Sequence, residues 1–284
     1  MELEGRDGNR LEADVAGDRA NPPSVLLHGG GQTRHSWGTT LHALADKGWY
    51  TLAVDLRGHG DSEWAENGDY TIDAFAGDVL AVVEALSAPP ALVGASLGGL
   101  ASLVAIGEHP EMRVARALVL VDVAPRTEAA GRDRIGAFMA EHMHDGFASL
   151  DEVADAIQRY NPHRPRPTNL SGLEKNLRQR ADGRWYWHWD PKFIGGRLGG
   201  PDETRSSLTD PARLQAAARN ITVPTLLVRG RVSDLLSEQG ARELLQLVPH
   251  AQLVDVAGAG HMVAGDRNDL FNDAVVGFLD SVRD

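Results

Sequence analysis

The pentapeptide Gly94-Ala95-Ser96-Leu97-Gly98, followed by Gly99, lies between two apolar stretches of different character. Residues 91–93 predict a buried strand, and residues 100–106 predict a helix. Gly-x-Ser-x-Gly at a strand-to-helix turn is typical of a nucleophile elbow, which holds a serine hydroxyl at the edge of a sheet. Glycine is needed two residues before and after the serine because larger side chains would collide in so sharp a turn. We therefore predict that Ser96 is a catalytic nucleophile.

The composition narrows the class of protein. The chain has 284 residues, enough for one large α/β domain with an inserted subdomain, and it contains no Cys. Without Cys there are no disulfides, thiol nucleophiles or Cys-ligated metals, and we expect a cytoplasmic protein. A formal net charge of −12 argues against nucleic acid as the main partner. No apolar run approaches the ~20 residues of a membrane span, and residues 1–7 lack the apolar core of a signal peptide.

Strands and helices alternate along most of the chain. Short apolar runs predict strands at residues 11–15, 24–27, 50–55, 91–95, 117–122, 224–228 and 252–255. Amphipathic helices are predicted between them, at residues 72–86 and 238–248 for example, and a terminal helix covers residues 270–282. This alternation predicts an α/β fold with a mostly parallel central sheet and helices on both faces.

The alternation stops between about residue 124 and residue 209. This segment predicts helices but no buried strand, with capping boxes at Ser149-x-x-Glu152 and Ser171-x-x-Glu174. Asp210-Pro211 then predicts the start of a further helix. We therefore predict three parts: a first core segment (1–124), a helical cap or lid inserted after the sixth core strand (125–209), and a second core segment (210–284).

A serine nucleophile needs a general base, and that base is predicted to be His261. It follows the last predicted strand in Gly258-Ala259-Gly260-His261, a loop expected to fold over the sheet edge that carries the elbow. The alternative is a surface-loop His that bonds only to backbone. The pair His142-x-His144 is a poor metal site, because residues two apart on a helix point in different directions.

The acid that orients the base is predicted to be Asp234. It follows a predicted strand in Gly230-Arg231-Val232-Ser233-Asp234, and it lies between the serine and the histidine in the chain, the order typical of this catalytic arrangement. Asp234 has a second interpretation as the cap of a helix that begins near Ser237. Asp122 also ends a predicted core strand, so it is the competing candidate for the acid.

The oxyanion hole is predicted to use two backbone amides. One is that of Leu97, directly after the nucleophile, and the other comes from the loop His28-Gly29-Gly30-Gly31. Gly30 is the first choice for the second donor and Gly31 the next. His28 is interpreted as a structural residue that ties down this loop.

The signatures along the chain together resemble the α/β-hydrolase superfamily over almost its whole length. They are HGGG (28–31), DLRGHGDS (55–62), GASLGG (94–99), GRVSD (230–234) and GAGH (258–261). The resemblance is closest to capped serine esterases and to the cofactor-free haloperoxidase, or perhydrolase, group. Haloalkane dehalogenases and soluble epoxide hydrolases carry Asp where this chain has Ser96, and dienelactone hydrolases carry Cys. The resemblance therefore favours acyl transfer through Ser96, with no metal and no organic cofactor.

The predicted cap carries the clues to the substrate. The run Trp185-Tyr186-Trp187-His188-Trp189 would place alternate rings on one face if extended, and Trp187 is the candidate to line an acyl pocket. The same rings could instead hold the cap on the core. Gly31, Trp37 and Arg34 are further candidates to face the substrate. Residues 155–200 contain nine Lys or Arg against four Asp or Glu, which suggests either a solvated surface or attraction of an anionic substrate.

These observations predict a serine hydrolase that cleaves a carboxylic ester or lactone of a small to medium acyl substrate. Hydrolysis of a carbon–carbon bond and perhydrolysis use the same catalytic residues and stay open. A ligand receptor built on a hydrolase scaffold is the alternative from another class. We expect a small-molecule substrate and neither nucleic acid nor membrane as a partner, and the sequence leaves the oligomeric state open.

Overall fold

The computed structural model describes residues 1–162, 166–198, 207–266 and 268–283. Its strands, numbered in chain order, are β1 (Glu2–Glu4), β2 (Arg10–Ala16), β3 (Pro23–Leu27), β4 (Tyr50–Val54), β5 (Ala91–Ala95), β6 (Ala117–Val121), β7 (Leu177–Gln179), β8 (Trp185–Trp187), β9 (Thr225–Gly230) and β10 (Gln252–Val256). Eight of them form one sheet in the order β1-β2-β4-β3-β5-β6-β9-β10. The pairs β1–β2 and β2–β4 are antiparallel, and the remaining neighbours are parallel.

Helices cover both faces of this sheet. They are α1 (Gly38–Asp46), α2 (Ile72–Glu84), α3 (Leu97–Gly107), α4 (Ala129–Ala140), α5 (Leu150–Tyr160), α6 (Pro191–Leu198), α7 (Pro211–Arg219), α8 (Glu238–Leu247), α9 (Val263–Asp266) and α10 (Asn268–Ser281). Short 3-10 helices cover Arg34–Trp37, Ser171–Asn176 and Ser207–Thr209. Among the described helices, none is both long enough and apolar enough to cross a membrane.

The alternation of side chains along the central strands produces two cores. In β3, Val25 and Leu27 pack into the cluster that contains side chains of α2, α3, α7 and α8. Leu26, between them, faces the opposite cluster with side chains of α1 and α10. All five residues of β3 are buried, as expected for a parallel strand covered on both faces, and the one polar side chain among them, Ser24, bonds to Thr51 of β4. The prediction of a mostly parallel sheet flanked by helices is confirmed.

The segment between β6 and α7 contains α4 and α5, where the sequence predicts helices, and also α6 and a small hairpin. Strands β7 and β8 pair antiparallel over three residues each, so the expectation of a segment without strands is wrong in this detail. Strands of three residues are too short to show a periodic pattern in the sequence. The division of the chain into core, cap and core stays a prediction.

Two of the three predicted helix starts are confirmed. Ser149 accepts a hydrogen bond from the amide of Glu152 at the start of α5, and Asp210 accepts one from the amide of Ala212 at the start of α7. Ser171 instead begins a 3-10 helix, and its hydroxyl bonds to the side chain of Asn169. The capping-box prediction at Ser171 is therefore wrong, because the neighbouring asparagine takes the hydroxyl.

Candidate active site

The nucleophile elbow lies between the end of β5 and the start of α3. Ser96 has φ 45° and ψ −110°, a conformation that costs energy for a residue with a side chain. A Cβ atom at Gly98 would lie 2.4 Å from the carbonyl oxygen of Leu27, and one at Gly94 would lie 2.5 Å from the carbonyl of Gly98. The two glycines are therefore required by close backbone approach, and Ser96 is held half-buried at the N-terminus of α3.

The structure pairs His261 with Asp122. Nδ1 of His261 lies 2.7 Å from Oδ2 of Asp122, and the two side chains are 13% and 0% exposed respectively. Asp122 follows the last residue of β6, the neighbour of the elbow strand β5, and it has the unusual φ of 51°. The end of β6 therefore delivers the carboxylate to the same sheet edge as Ser96.

The prediction of Asp234 as the partner of His261 is wrong. Its carboxylate accepts a hydrogen bond of 2.7 Å from Arg134 of α4, and its side chain is 39% exposed. Asp234 lies four residues beyond β9, where the chain has already turned outward from the sheet edge. It does not cap α8 either, because Ser237 accepts the capping hydrogen bond from the amide of Gly240.

Two backbone amides are available for an oxyanion beside Ser96. Within the described residues, the amides of Gly30 and Leu97 have no hydrogen-bond partner, and both residues line the cavity that contains Ser96. The amide of Gly31 is different, because it donates to Nε2 of His59 over 3.1 Å. The geometry therefore favours Gly30 over Gly31 as the second donor, and Leu97 adds the favourable field of the helix N-terminus.

The elbow opens into a cavity of about 780 Å³ between the sheet edge and the segment that follows β6. Its wall includes Ser96, His261, Gly30 and Gly31, so the catalytic candidates share one space. Aromatic side chains of the segment between β6 and β9 line the same cavity; they are Phe138, Tyr160, Trp187 and Trp189. The rings of Trp187 and Trp189 are stacked with their centroids 4.8 Å apart, and those of Phe138 and Tyr160 at 4.3 Å.

The candidates for substrate contact divide into two groups. Gly31 and Trp187 line the cavity, as predicted from the sequence. Trp37 does not: it is 1% exposed and packs against Phe271 of α10, with ring centroids 5.9 Å apart, in the core on the opposite face of the sheet. The prediction that Trp37 contacts the substrate is therefore wrong. The 3-10 helix Arg34–Trp37 directs this ring to the face of the sheet that α1 and α10 cover. Arg34 is occupied by the carboxylates of Asp14, Asp55 and Asp61.

The comparison with protein families agrees with this architecture. A model of the alpha/beta hydrolase family matches residues 25–274, from within β3 to within α10. The chain belongs to the α/β-hydrolase family. It is a hydrolase.

Individual relatives of this α/β-hydrolase cover nearly all of its length. An esterase of Mycobacterium tuberculosis is 32% identical over 267 residues, which cover 92% of this chain and 83% of the relative. A 3-hydroxybutyrate-oligomer hydrolase of Cupriavidus necator is 29% identical over 263 residues, which cover 89% and 87%. The crystal structure of E-2-(acetamidomethylene)succinate hydrolase has a TM-score of 0.84 over 99% of both chains at 24% identity, a likeness of fold alone.

Three described arginines of this predicted cap pair with acidic side chains and do not line the cavity of this α/β-hydrolase. They are Arg159 with Glu141, Arg166 with Asp151 and Asp155, and Arg178 with Asp61. In the described wall, the ionisable side chains besides Tyr160 are Arg132, Asp133 and His261. Arg132 already donates to the carbonyl and hydroxyl oxygens of Thr127. The arrangement favours the solvated-surface interpretation of these charges.

A metal-dependent site receives no support from the described part of the chain. No group of three or more His, Asp or Glu side chains there is placed to hold a metal ion. His142 packs against Phe147, with ring centroids 4.5 Å apart, and its Nε2 lies 3.7 Å from the carboxylate of Glu141.

His28 holds the oxyanion loop in place, as the sequence analysis proposed. Its Nε2 accepts a hydrogen bond from the amide of Leu56, so the proton lies on Nδ1, which donates to the carbonyl of Gly29. Complete burial lowers the pKa of His28 from 6.5 to about 4, since the charged form would lose its hydration. Burial also holds the pKa of His188, whose Nδ1 accepts from the amide of Gly60, well below its usual value.

The buried histidines make the fold sensitive to acid. Because the pKa of His28 is lower in the folded protein than in the unfolded chain, the unfolded chain binds more protons below pH 6.5. Stability is therefore fully present above about pH 6.5 and is lost as the pH falls towards 4. We expect His28 alone to lower the free energy of unfolding by about 2 kcal/mol between pH 7 and pH 5. Urea denaturation at the two pH values measures this, and equal stability at both would contradict it.

Several members of the site were missed by the sequence analysis. Ser233 donates a hydrogen bond to the carboxylate of Asp122, and His59 accepts one from the amide of Gly31. Trp189 lines the cavity beside Trp187. The aromatic run was the signal for Trp189, whereas the contacts of Ser233 and His59 join distant parts of the chain and leave no local pattern.

Proposed function

We propose that this α/β-hydrolase is a serine hydrolase that cleaves a carboxylic ester or lactone through an acyl-enzyme on Ser96. One observation carries the proposal: Ser96 at a strained elbow shares a cavity with His261, which bonds to the buried carboxylate of Asp122. The unpartnered amides of Gly30 and Leu97 complete the set of groups that acyl transfer requires.

The proposed mechanism follows from the positions of the protons. Asp122 accepts from Nδ1 of His261, which leaves Nε2 free of a proton and able to take the one on the hydroxyl of Ser96. The serine oxygen then attacks the carbonyl carbon, and the oxyanion accepts from the amides of Gly30 and Leu97. Imidazolium returns its proton to the departing alcohol. Water, activated by the same imidazole, hydrolyses the acyl-enzyme.

The wall of the cavity supports an acyl group that is apolar and uncharged. Its aromatic side is provided by α4, α5 and the residues from β8 onward, which belong to the proposed cap of residues 125–209. Stacked rings bind apolar and planar groups without hydrogen bonds, so they favour an acyl chain or an aromatic acid. The relatives named esterase and 3-hydroxybutyrate-oligomer hydrolase add weight to an ester substrate. A cytoplasmic location remains a prediction from the cysteine-free composition.

A series of p-nitrophenyl esters from acetyl to decanoyl tests the proposal. We expect multiple turnover with the highest kcat/KM at a medium chain length, where the acyl group fills the aromatic wall. A single burst without turnover, or no hydrolysis of any ester, would contradict an esterase and favour a carbon–carbon hydrolase or a receptor. Replacing water with hydrogen peroxide as acceptor in the same assay measures perhydrolysis.

Truncation of Phe138 is expected to change the chain-length preference. The ring lines the cavity, stacks on Tyr160 and lies 5.5 Å from Trp187, so Phe138→Ala lengthens the apolar space. We expect the preference for the longer over the shorter ester, as a ratio of kcat/KM, to rise about 10-fold. Trp64→Ala is the matched control, because Trp64 is 42% exposed and lies outside the described wall of the cavity. An unchanged ratio in Phe138→Ala would remove this wall from the acyl site.

A further inference from the structure

The loop between β9 and α8, residues 231–237, contacts the carboxylate of the proposed catalytic site and the segment just before its histidine, without supplying a residue to the reaction. Gly230, the last residue of β9, donates its amide to Oδ1 of Asp122 over 2.9 Å. Ser233 lies 2.5 Å from the other oxygen, Oδ2, through its hydroxyl. Each oxygen of the buried carboxylate therefore has a donor from the segment 230–233, besides the bond from His261 to Oδ2.

The direction of the Ser233 hydroxyl is fixed by its neighbours. A carboxylate has no proton to give, so the hydroxyl of Ser233 donates to Oδ2 of Asp122. Its oxygen in turn accepts from the amides of Leu235 and Leu236, over 3.1 and 3.2 Å. With both lone pairs engaged, the proton points at the carboxylate and the serine does not switch to another partner.

The same loop is joined to the loop that carries His261. The amide of Val232 donates to the carbonyl of Ala259 over 3.0 Å, and that of Arg231 donates to the carbonyl of Val256 over 3.1 Å. At Gly230 a Cβ atom would lie 2.1 Å from the carbonyl oxygen of Gly260, so the two backbones are in direct contact. Residues 230–233 thus connect the strand-end carboxylate to the segment just before the histidine.

From these contacts we infer that Ser233 is a positioning residue, which holds Asp122 in the orientation that His261 needs. This inference rests on the proposed function, because it assigns a role within the same site. Oδ2 of Asp122 accepts from both Ser233 and His261, so the hydroxyl limits rotation of the carboxylate about its own bond. Arg229 is the nearby cation, and its guanidinium is engaged by Asp255, so it does not replace the hydroxyl. Without Ser233, Oδ2 of the carboxylate loses one of its two donors.

Kinetics of Ser233→Ala and Ser233→Thr test this role. We expect Ser233→Ala to lower kcat about 10-fold to 100-fold while KM changes less than about twofold, because alignment of the base is lost and substrate contacts are not. Ser233→Thr keeps the hydroxyl and should restore kcat to within about threefold. Val232→Ala, in the same loop at a residue that is 65% exposed, is the matched control and should leave kcat unchanged. Ser233→Cys, a weaker donor of similar form, should lie between wild type and Ser233→Ala.

A proton NMR measurement separates this inference from the proposed function. The proton between Nδ1 of His261 and Asp122 is expected to give a far-downfield signal, which should move or broaden in Ser233→Ala and remain in place in Ser233→Thr. If wild type hydrolysed no ester, the proposed function would fail, and the signal would still decide the role of Ser233. An unmoved signal in Ser233→Ala, or a loss of kcat that Ser233→Thr does not restore, would overturn the inference. Ser233 would then only stabilise the turn, through its bonds from the amides of Leu235 and Leu236.

Discussion

Replacing Ser96 by alanine is expected to lower kcat by about four to six orders of magnitude, with the fold intact. Removal of the hydroxyl takes away the nucleophile, and no other described serine stands at a strand-to-helix turn between close-packed glycines. Alanine accepts the φ of 45° at no greater cost than serine, so the substitution compares two folded proteins. Steady-state hydrolysis of the preferred p-nitrophenyl ester gives kcat for both forms.

A matched control and a chemical measurement make this test specific. Ser171→Ala removes a hydroxyl from an exposed 3-10 helix of the cap segment and should leave kcat unchanged. In wild type, a slowly deacylating ester should add the mass of its acyl group to the peptide that contains Ser96. Residual activity above about 1% in Ser96→Ala, or an acyl group found on another residue, would show that the proposed nucleophile is wrong.

The parts of the site that the sequence predicts are those set by neighbouring residues. The elbow can be recognised because its glycines, its serine and the flanking strand and helix follow one another without a break, from β5 to α3. The same holds for the extended aromatic run, of which residues 185–187 form β8 and Trp187 and Trp189 share the cavity wall. In both cases backbone geometry alone dictates which side chains lie together.

The parts that the sequence leaves open are set by contacts between distant segments. The sequence offers both Gly30 and Gly31 as donors to the oxyanion. The amide of Gly31 is not available for this role because it donates to His59, which lies 28 positions further along the chain. Trp37 follows the oxyanion loop closely in the chain, yet its ring packs against α10 near the other end of the protein. Which of two neighbouring groups faces the substrate thus depends on packing that no local pattern records.

The choice of acid is the sharpest case of this limit. Both Asp122 and Asp234 lie near the carboxyl end of a core strand, and both precede His261 in the chain, so the order of residues admits either. The sheet distinguishes them: β6 lies directly beside the elbow strand β5, whereas β9 is one strand further away. Asp122 also follows its strand without an intervening residue, while three residues separate Asp234 from β9.

Replacing Asp122 by asparagine is therefore expected to lower kcat by about three to four orders of magnitude, while Asp234→Asn leaves it within about twofold. Asparagine has the form of aspartate, but it lacks the charge that stabilises the imidazolium and its amide can turn the imidazole to the wrong tautomer. Asp234 forms a half-exposed ion pair with Arg134, and such surface pairs contribute about 0–1 kcal/mol to stability.

Measurement of kcat and kcat/KM for the two variants side by side decides between the acids. Circular dichroism and thermal unfolding establish that both variants are folded, which matters for Asp122 because Gly230 and Ser233 donate to it in the interior. A severe loss in Asp234→Asn with a mild one in Asp122→Asn would return the acid to the loop after β9. It would also mean that the bond between His261 and Asp122 does not serve the reaction. The expected result, a severe loss in Asp122→Asn alone, makes the strand next to the elbow the source of the acid and the loop after β9 its support.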